Sequence, residues 1–123
     1  MPEKVWENSE ISFYMSTPVL HGDLLLGMST RNKGQFVCLD ARTGAQAWAG
    51  DSRQGENAAI VKAGEKLFSL TTDAELIVSR ITSNGLEPLK RYTVAASPTW
   101  AHPVIVGNRV LIKDESTLAL WSF

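Results

Sequence analysis

The sequence has little of what marks an exported, disulfide-bonded or membrane-spanning chain. Its 123 residues contain one cysteine, and no long apolar run is present. A single cysteine, Cys38, can close no internal disulfide and cannot supply a zinc cluster. A membrane span needs about eighteen consecutive apolar residues, so no segment is expected to cross a bilayer. The first seven residues lack an apolar core, so we expect no signal peptide in this sequence.

An excess of charge of one sign is also missing. Twelve Lys and Arg residues stand against thirteen Asp and Glu residues, which gives a net charge of -1. Proteins that bind nucleic acid usually carry a basic patch or stripe, so nucleic acid is not an expected partner. The remaining composition, 44% apolar and 20% charged, is typical of one modest globular domain.

The surroundings of Cys38 favour a structural role. The residue lies in the alternating run Gln-Phe-Val-Cys-Leu-Asp at 35–40. A catalytic thiol is usually activated by a basic neighbour or a helix N-terminus, and the run provides neither. We therefore interpret Cys38 as a small buried apolar side chain.

Apolar residues come in short runs bounded by Gly, Asn, Asp, Ser or Thr, and no helical periodicity of useful length appears. Examples are the runs at 24–26, 36–39 and 104–106. Short strands spaced about 8–12 residues apart, with turn residues between them, are typical of all-β sandwiches, barrels and propellers. The sequence therefore predicts an all-β fold.

The chain also repeats itself. Pro-Val-Leu-His-Gly at 18–22 recurs as Pro-Val-Ile-Val-Gly at 103–107, and Ile-Val-Lys-Ala-Gly at 60–64 lies midway. Each glycine is followed by a polar residue and, soon after, by an apolar pair. We expect a tight hairpin turn at each glycine, because such turns demand a positive φ that glycine adopts without strain.

A second set of apolar positions recurs later in each unit: Phe36 and Cys38, Leu76 and Val78, and Leu118 and Leu120. Residues 3–6 resemble residues 45–48, and Trp6 precedes Trp48 by 42 residues. Three units of roughly 41 residues therefore account for the chain, in a permuted register.

The register predicts the following organisation. Residues 1–8 form an outer strand that closes the last unit, residues 9–50 form the first four-stranded unit, and residues 51–95 form the second. Residues 96–123 form the third unit, which lacks its outer strand. An N-terminal strand that completes the last blade covers a sheet edge that is otherwise prone to aggregation.

Residues 34–48 read Gly-Gln-Phe-Val-Cys-Leu-Asp-Ala-Arg-Thr-Gly-Ala-Gln-Ala-Trp. This segment resembles the repeat of the pyrroloquinoline-quinone (PQQ)-like β-propeller family, roughly Gly-x-apolar-x-x-Leu-Asp-x-x-Thr-Gly-x-x-x-Trp. The second unit departs from it, with Ser79-Arg80 in place of Leu-Asp and Leu89 in place of Trp. The resemblance implies three four-stranded antiparallel propeller blades.

The residues of the motif have structural roles of their own. Gly44, after Thr43, is expected to make a hairpin turn, and Asp40 to accept hydrogen bonds from turn amides. Trp48 is expected to fill the space between neighbouring blades.

The resemblance also bears on function. Quinoprotein dehydrogenases of this family hold a quinone cofactor and calcium and carry an adjacent cysteine pair, whereas this sequence has one cysteine. We therefore expect no cofactor, no metal and no catalytic residues, and a non-catalytic scaffold or a ligand- or protein-binding module. The alternative is part of a propeller oxidoreductase or hydrolase whose active site is completed by missing blades or a partner chain. The resemblance further suggests a bacterial cell-envelope or periplasmic location.

Three blades are fewer than the four to eight of typical propellers. One interpretation is a homodimer that forms a six-bladed ring, each chain donating Lys4, Val5 and Trp6 to its partner's third blade; we prefer it to a nine-bladed trimer. The other is that the remaining blades belong to a longer parent chain. Closed symmetry favours the dimer because it removes the open edges.

Two groups of residues are candidates for a ligand or partner surface. The first is Arg53, Gln54, Glu56 and Asn57, in a polar loop that is able to bind an anion, a peptide or a divalent cation. The alternative is a solvated loop whose side chains cap their own turns.

The second group is Trp100 and His102. We place His102 at the start of an inner strand, and residues two apart share one face of a strand, so the pair could form an aromatic binding spot. The alternative is packing between blades. His21 is interpreted as a half-buried strand residue, and the carboxylates at 73–75 and 114–115 as turn residues.

Overall fold

The computed structural model describes residues 1–13 and 15–123. Its regular structure is antiparallel β-sheet with one 3-10 turn, Arg31–Lys33. The all-β prediction is confirmed. No helix in the described part of the chain is long and apolar enough to cross a membrane.

The strands form three sheets in chain order. Sheet A contains β1 (Val19–His21), β2 (Leu24–Ser29), β3 (Gln35–Asp40) and β4 (Gln46–Ala49). Sheet B contains β5 (Ala58–Ala63), β6 (Lys66–Thr71), β7 (Glu75–Ile81) and β8 (Leu86–Thr93). Sheet C contains β9 (Val104–Val106), β10 (Arg109–Lys113) and β11 (Leu118–Ser122). Each sheet is a meander of consecutive antiparallel strands, as in a propeller blade.

The first hairpin of each sheet turns at a glycine. Gly22, Gly64 and Gly107 have φ values of 60°, 62° and 60°. This is the left-handed region, where a side chain is strained. The predicted turns are confirmed.

The sheets stack face to face and bury apolar side chains between them. Between sheets A and B lie Leu26, Met28, Phe36, Cys38, Trp48, Ala58, Ile60, Leu67 and Ile81. Between sheets B and C lie Leu70, Leu76, Val94, Val110 and Ile112. Burying one large aliphatic or aromatic side chain contributes about 1.5–3 kcal/mol, so these two layers are the main source of stability. The predicted interblade position of Trp48 and the burial of Cys38 are confirmed.

The N-terminal segment lies against sheet A. The indole N–H of Trp6 donates to the carbonyl of Ala41 at 2.9 Å, and the Asn8 amide donates to the carbonyl of Gly44 at 2.9 Å. Both carbonyls belong to the turn between β3 and β4. Ile11 continues the segment and is buried against Val37. Hydrogen bonds therefore hold the segment to the turn that the repeat motif predicts.

Residues 1–8 make no strand pairing among the described residues. The prediction that they form an outer strand concerns pairing with another copy or blade, and it stays a prediction. What the single chain shows is their position beside sheet A.

The turn after β10 is built around Asp114. One oxygen of its carboxylate accepts hydrogen bonds from the amides of Ser116 and Thr117, at 2.9 and 2.7 Å, and from the Thr117 hydroxyl at 2.8 Å. These bonds, led by the Ser116 amide, favour the ionised form and hold the pKa of Asp114 well below its usual range. The interpretation of this carboxylate as a turn residue is confirmed.

Two glycines in equivalent turns are expected to respond oppositely to alanine. Gly44 has a φ of 76°, and a Cβ there would collide with the ring of Trp6. Gly85 lacks a positive φ, and a Cβ there meets nothing within 4 Å. We expect Gly44→Ala to lower the free energy of unfolding by about 2–4 kcal/mol. Gly85→Ala should leave it unchanged or raise it by about 0.5 kcal/mol.

Urea unfolding of the two variants measures both effects. If Gly44→Ala is as stable as Gly85→Ala, the close packing of Trp6 on Gly44 does not contribute to stability as we expect.

Asp114 should make stability depend on acid pH. Its folded pKa is lowered, so its contribution is complete above the unfolded pKa of about 3.9 and is lost as pH falls toward the folded value. Asp114→Ala should therefore destabilise the protein at pH 7, and its difference from the wild type should shrink between pH 5 and pH 2. Urea unfolding across that range tests this. Asp73→Ala, at an exposed turn carboxylate, is the control, and an equal effect there would contradict the assignment to Asp114.

Candidate functional site

The polar loop between β4 and β5 is held by backbone contacts to the turn before β3. The amide of Arg53 donates to the carbonyl of Asn32, and the amide of Gln54 donates to the carbonyl of Gly34, both at 2.9 Å. The side chains of Arg53 and Glu56 remain exposed. Backbone hydrogen bonds thus hold the loop, and it presents one cation, Arg53, and two carboxylates, Asp51 and Glu56, to solvent.

Asn57 is the member of the first candidate group that does not face solvent. It is buried, its side-chain amide donates to the carbonyl of Met15 at 3.1 Å, and its own carbonyl accepts from the amide of Thr72 at 3.1 Å. These contacts join three segments of the chain. Asn57 therefore holds the loop in place through a contact with a distant segment, which neither interpretation of the sequence predicts.

Trp100 and His102 lie in the loop before β9. The strand begins at Val104, so the prediction that His102 starts an inner strand is wrong. Thr99 explains the local conformation, because its hydroxyl donates to the carbonyl of Thr71 at 2.6 Å and its amide bonds to the carbonyl of Thr72. With Thr99 anchored in this way, Trp100 and His102 project from a loop and are exposed.

Ionisable groups near the motif are structural. Burial, reinforced by the charge of Asp40, raises the pKa of the Cys38 thiol, which favours its protonated and unreactive form. Hydrogen bonds from Arg42 lower the pKa of Asp40, and the guanidinium lies 3.0 Å from its carboxylate. His21 is a half-buried residue of β1, as predicted, with Nε2 3.4 Å from the Glu65 carboxylate. Within residues 1–13 and 15–123, no three His, Cys, Asp or Glu side chains are grouped to hold a metal ion.

A cavity of about 360 Å³ opens between sheets A and B, and the sequence analysis did not predict it. Its walls include Trp48, Gly85 and Leu86, and of the predicted site residues Gln54 alone lines it. The sequence does carry a signal for this cavity. The second unit departs from the repeat at Ser79-Arg80, shortly before the turn that contains Gly85. The close packing of Trp6 on Gly44 in the first unit is not reproduced by Trp48 and Gly85.

The outer face of sheet C is the second candidate surface. Leu118 and Leu120 are 68% and 58% exposed, whereas their repeat equivalents Phe36 and Cys38 are 9% and 0% exposed. The difference arises because sheet B covers the equivalent face of sheet A. Val104 and Val106 share this face with them, through the register of β9, β10 and β11, and are also exposed.

The outer edge of β11 adjoins this face. Among the described residues, β10 is the one strand that pairs with β11, whereas β3 and β7 each pair on both sides. An open edge beside an exposed apolar face is the arrangement to which another strand can add.

Comparisons with known proteins agree with this architecture. Residues 2–50 match the family described as outer membrane protein assembly factor BamB, of the PQQ-like repeat type. No curated protein sequence matches the chain.

Three solved structures are similar. BamB from Moraxella catarrhalis has 17% sequence identity and a TM-score of 0.60, over 88% of this chain and 30% of that chain. A europium-containing methanol dehydrogenase has 18% identity and a TM-score of 0.55, over 77% of this chain and 19% of that chain. The computationally designed Ika4 protein has 10% identity and a TM-score of 0.58, over 99% of both chains.

The chain spans less than a third of the Moraxella BamB chain and about a fifth of the dehydrogenase. At these identities the structural matches show the fold. The family match adds the repeat itself, because it covers the Asp40 turn and Trp48. Residues 2–50 therefore match a PQQ-like β-propeller repeat family, and the fold of the described chain is that of propeller blades.

Proposed function

We propose that this chain is a non-catalytic propeller scaffold that binds a partner polypeptide through the outer face of sheet C. The observation that carries the proposal is the exposure of Leu118 and Leu120 at positions whose equivalents are buried in sheet A. Val104 and Val106 extend the apolar surface. Contiguous exposed apolar surface beside an open strand edge is characteristic of a protein interface.

The partner that fits this surface is a second copy of the chain. Trp6 lies at the turn of sheet A, and Trp48 lies beside the equivalent turn of sheet B. In the proposed assembly, residues 3–6 serve as the outer strand of a blade that precedes sheet A. If β11 of a second copy paired with Lys4, Val5 and Trp6, that blade would have four strands.

Two-fold symmetry would make this contact twice and close a six-bladed ring. A longer parent chain that supplies the remaining blades would cover the same face. In either case, the exposed side chains of Arg53, Glu56, Trp100 and His102 form a further surface available to a ligand or a protein partner.

The alternative function is part of a propeller oxidoreductase or hydrolase completed by further blades. Its support is the fold likeness to a methanol dehydrogenase. The exposed face of sheet C favours the binding module, because an interface needs apolar area, whereas a catalytic site needs ionisable groups that converge. A bacterial cell-envelope location follows from the family resemblance and belongs to the same proposal.

Light scattering on a sizing column tests the proposal. The wild-type chain should have twice the monomer mass of 13.5 kDa. Leu120→Asp should weaken dimerisation by at least about a hundredfold, because it buries an unpaired carboxylate in the interface. The variant should remain folded, since the side chain is exposed in the monomer.

Leu20→Asp is the matched control. Leu20 in β1 is 57% exposed, nearly the same as Leu120. Its repeat equivalent Lys62 stays exposed although sheet A packs beside sheet B, so no blade contact should cover Leu20. A wild-type monomer at micromolar concentration, or equal effects of the two variants, would contradict the second copy as the partner.

A further inference from the structure

The cavity between sheets A and B is long enough to hold an extended side chain and part of the peptide that carries it. Its wall follows β8 from Leu86 to Arg91. At the rise of a β-strand, this stretch is about 16 Å long. The volume of about 360 Å³ is within the range of small-ligand sites.

The cavity is open because the second turn lacks the close packing of the first. A Cβ placed on Gly44 would collide with the ring of Trp6, whereas a Cβ placed on Gly85 meets nothing within 4 Å. Gly85 and Trp48 both line the cavity. Space that is filled at the first turn therefore remains free at the second.

The wall of the cavity carries one uncompensated negative charge. Its charged residues are Asp51 and Arg91. The guanidinium of Arg91 lies 2.8 Å from the Glu75 carboxylate, so its charge is already balanced. Asp51 is exposed and forms no ion pair with another described residue. The cavity should therefore attract a cation and repel an anion.

The other wall residues suit a cation that has an apolar stem. The side-chain nitrogen of Gln54 donates to the carbonyl of Ser52 at 3.1 Å, which leaves the amide oxygen of Gln54 to accept a hydrogen bond. Phe36 and Leu86 add apolar surface to the same cavity. Lysine and arginine side chains combine a charged head with an aliphatic stem that packs on apolar surface.

We propose that the cavity between sheets A and B binds a lysine or arginine side chain of a partner polypeptide. The charged head pairs with the Asp51 carboxylate, and the aliphatic stem lies against the apolar part of the wall. The inference rests on the proposed protein-binding function, but it uses a different surface from the outer face of sheet C.

The experiment compares two nearly isosteric probes by two-dimensional NMR of the intact chain at constant ionic strength. N-acetyl-arginine methylamide is a cation, and N-acetyl-citrulline methylamide is its neutral counterpart. Both should shift the amide signals of Gly50 and Gly85, which line the cavity, and leave that of Gly107 in sheet C unmoved. The arginine probe should bind about threefold more tightly, which is typical of one solvent-accessible ion pair. N-acetyl-glutamate methylamide, an anion, should bind less tightly than either.

Three variants test which residues are responsible. Asp51→Asn should make the arginine and citrulline probes bind equally, because it removes the charge and keeps the size of the side chain. Asp73→Asn is the matched control, since Asp73 is an exposed carboxylate that does not line the cavity, and it should keep the preference for arginine. Gly85→Leu should abolish the shifts caused by both probes, because its side chain fills the cavity.

The proposal is overturned if the citrulline probe binds the wild type as tightly as the arginine probe, if Asp51→Asn keeps the preference, or if Gly85→Leu binds as well as the wild type. Ethylguanidinium that binds as tightly as the arginine probe would also overturn it, because the site would then select a small cation and not a peptide.

The variant Leu120→Asp should still bind the arginine probe. Failure of the proposed dimer therefore shows as a loss of dimer mass, and failure of the cavity proposal shows as a loss of the NMR shifts.

Discussion

A strongly twisted sheet with apolar side chains on both faces is stable only when both faces are covered, and this requirement organises the whole chain. Sheet B meets it fully, because sheets A and C pack on its two sides. Sheet A meets it with sheet B on one side and residues of the N-terminal segment, such as Ile11, on the other. Sheet C meets it on one side, and the other side remains exposed.

The same requirement explains the role of the repeat motif. The turn between β3 and β4 accepts hydrogen bonds from Trp6 and Asn8, and Gly44 lets the indole ring approach its backbone. The tryptophan of the N-terminal segment thus binds the turn of the sheet that follows it, and the contact holds the segment against sheet A. At the second turn, which contains Thr82 and Gly85, Trp48 is buried but its indole nitrogen has no hydrogen-bond partner among the described residues.

Much of this fold was predictable because its signals are local. The glycine of each first hairpin and the alternation around Cys38 depend on a few neighbouring residues, and the predicted turns and the burial of Cys38 were confirmed. His102 was misplaced for a different reason. The anchoring of Thr99 to Thr71, 28 positions away in sequence, ends the loop later than the apolar pattern suggests.

The candidate site was less predictable. The sequence made Asn57 a candidate for a binding surface, but its side-chain amide donates a hydrogen bond to the carbonyl of Met15. These two segments come together only in the folded chain. The cavity between sheets A and B exists because Trp48 and Gly85 do not pack closely on each other. A sequence pattern shows which residues are present, but it does not show that two of them leave a gap in the folded chain. The departure of the second unit from the repeat was visible, but its consequence required the positions of Trp48 and Gly85.

Disulfide trapping tests most directly whether a second copy covers sheet C. Within sheet A, Val37 pairs with Ala49. The repeat places Ala119 and Glu7 in the same relation, with Glu7 supplied by the other copy. Paired strand residues are close enough for a disulfide, and Cys38 is buried and should not interfere.

Under mild oxidation, the Glu7→Cys/Ala119→Cys double variant should run as a covalent dimer on a non-reducing gel, and each single variant should remain largely monomeric. A double variant that is no more cross-linked than the single variants, or that forms its disulfide within one chain, would contradict the account.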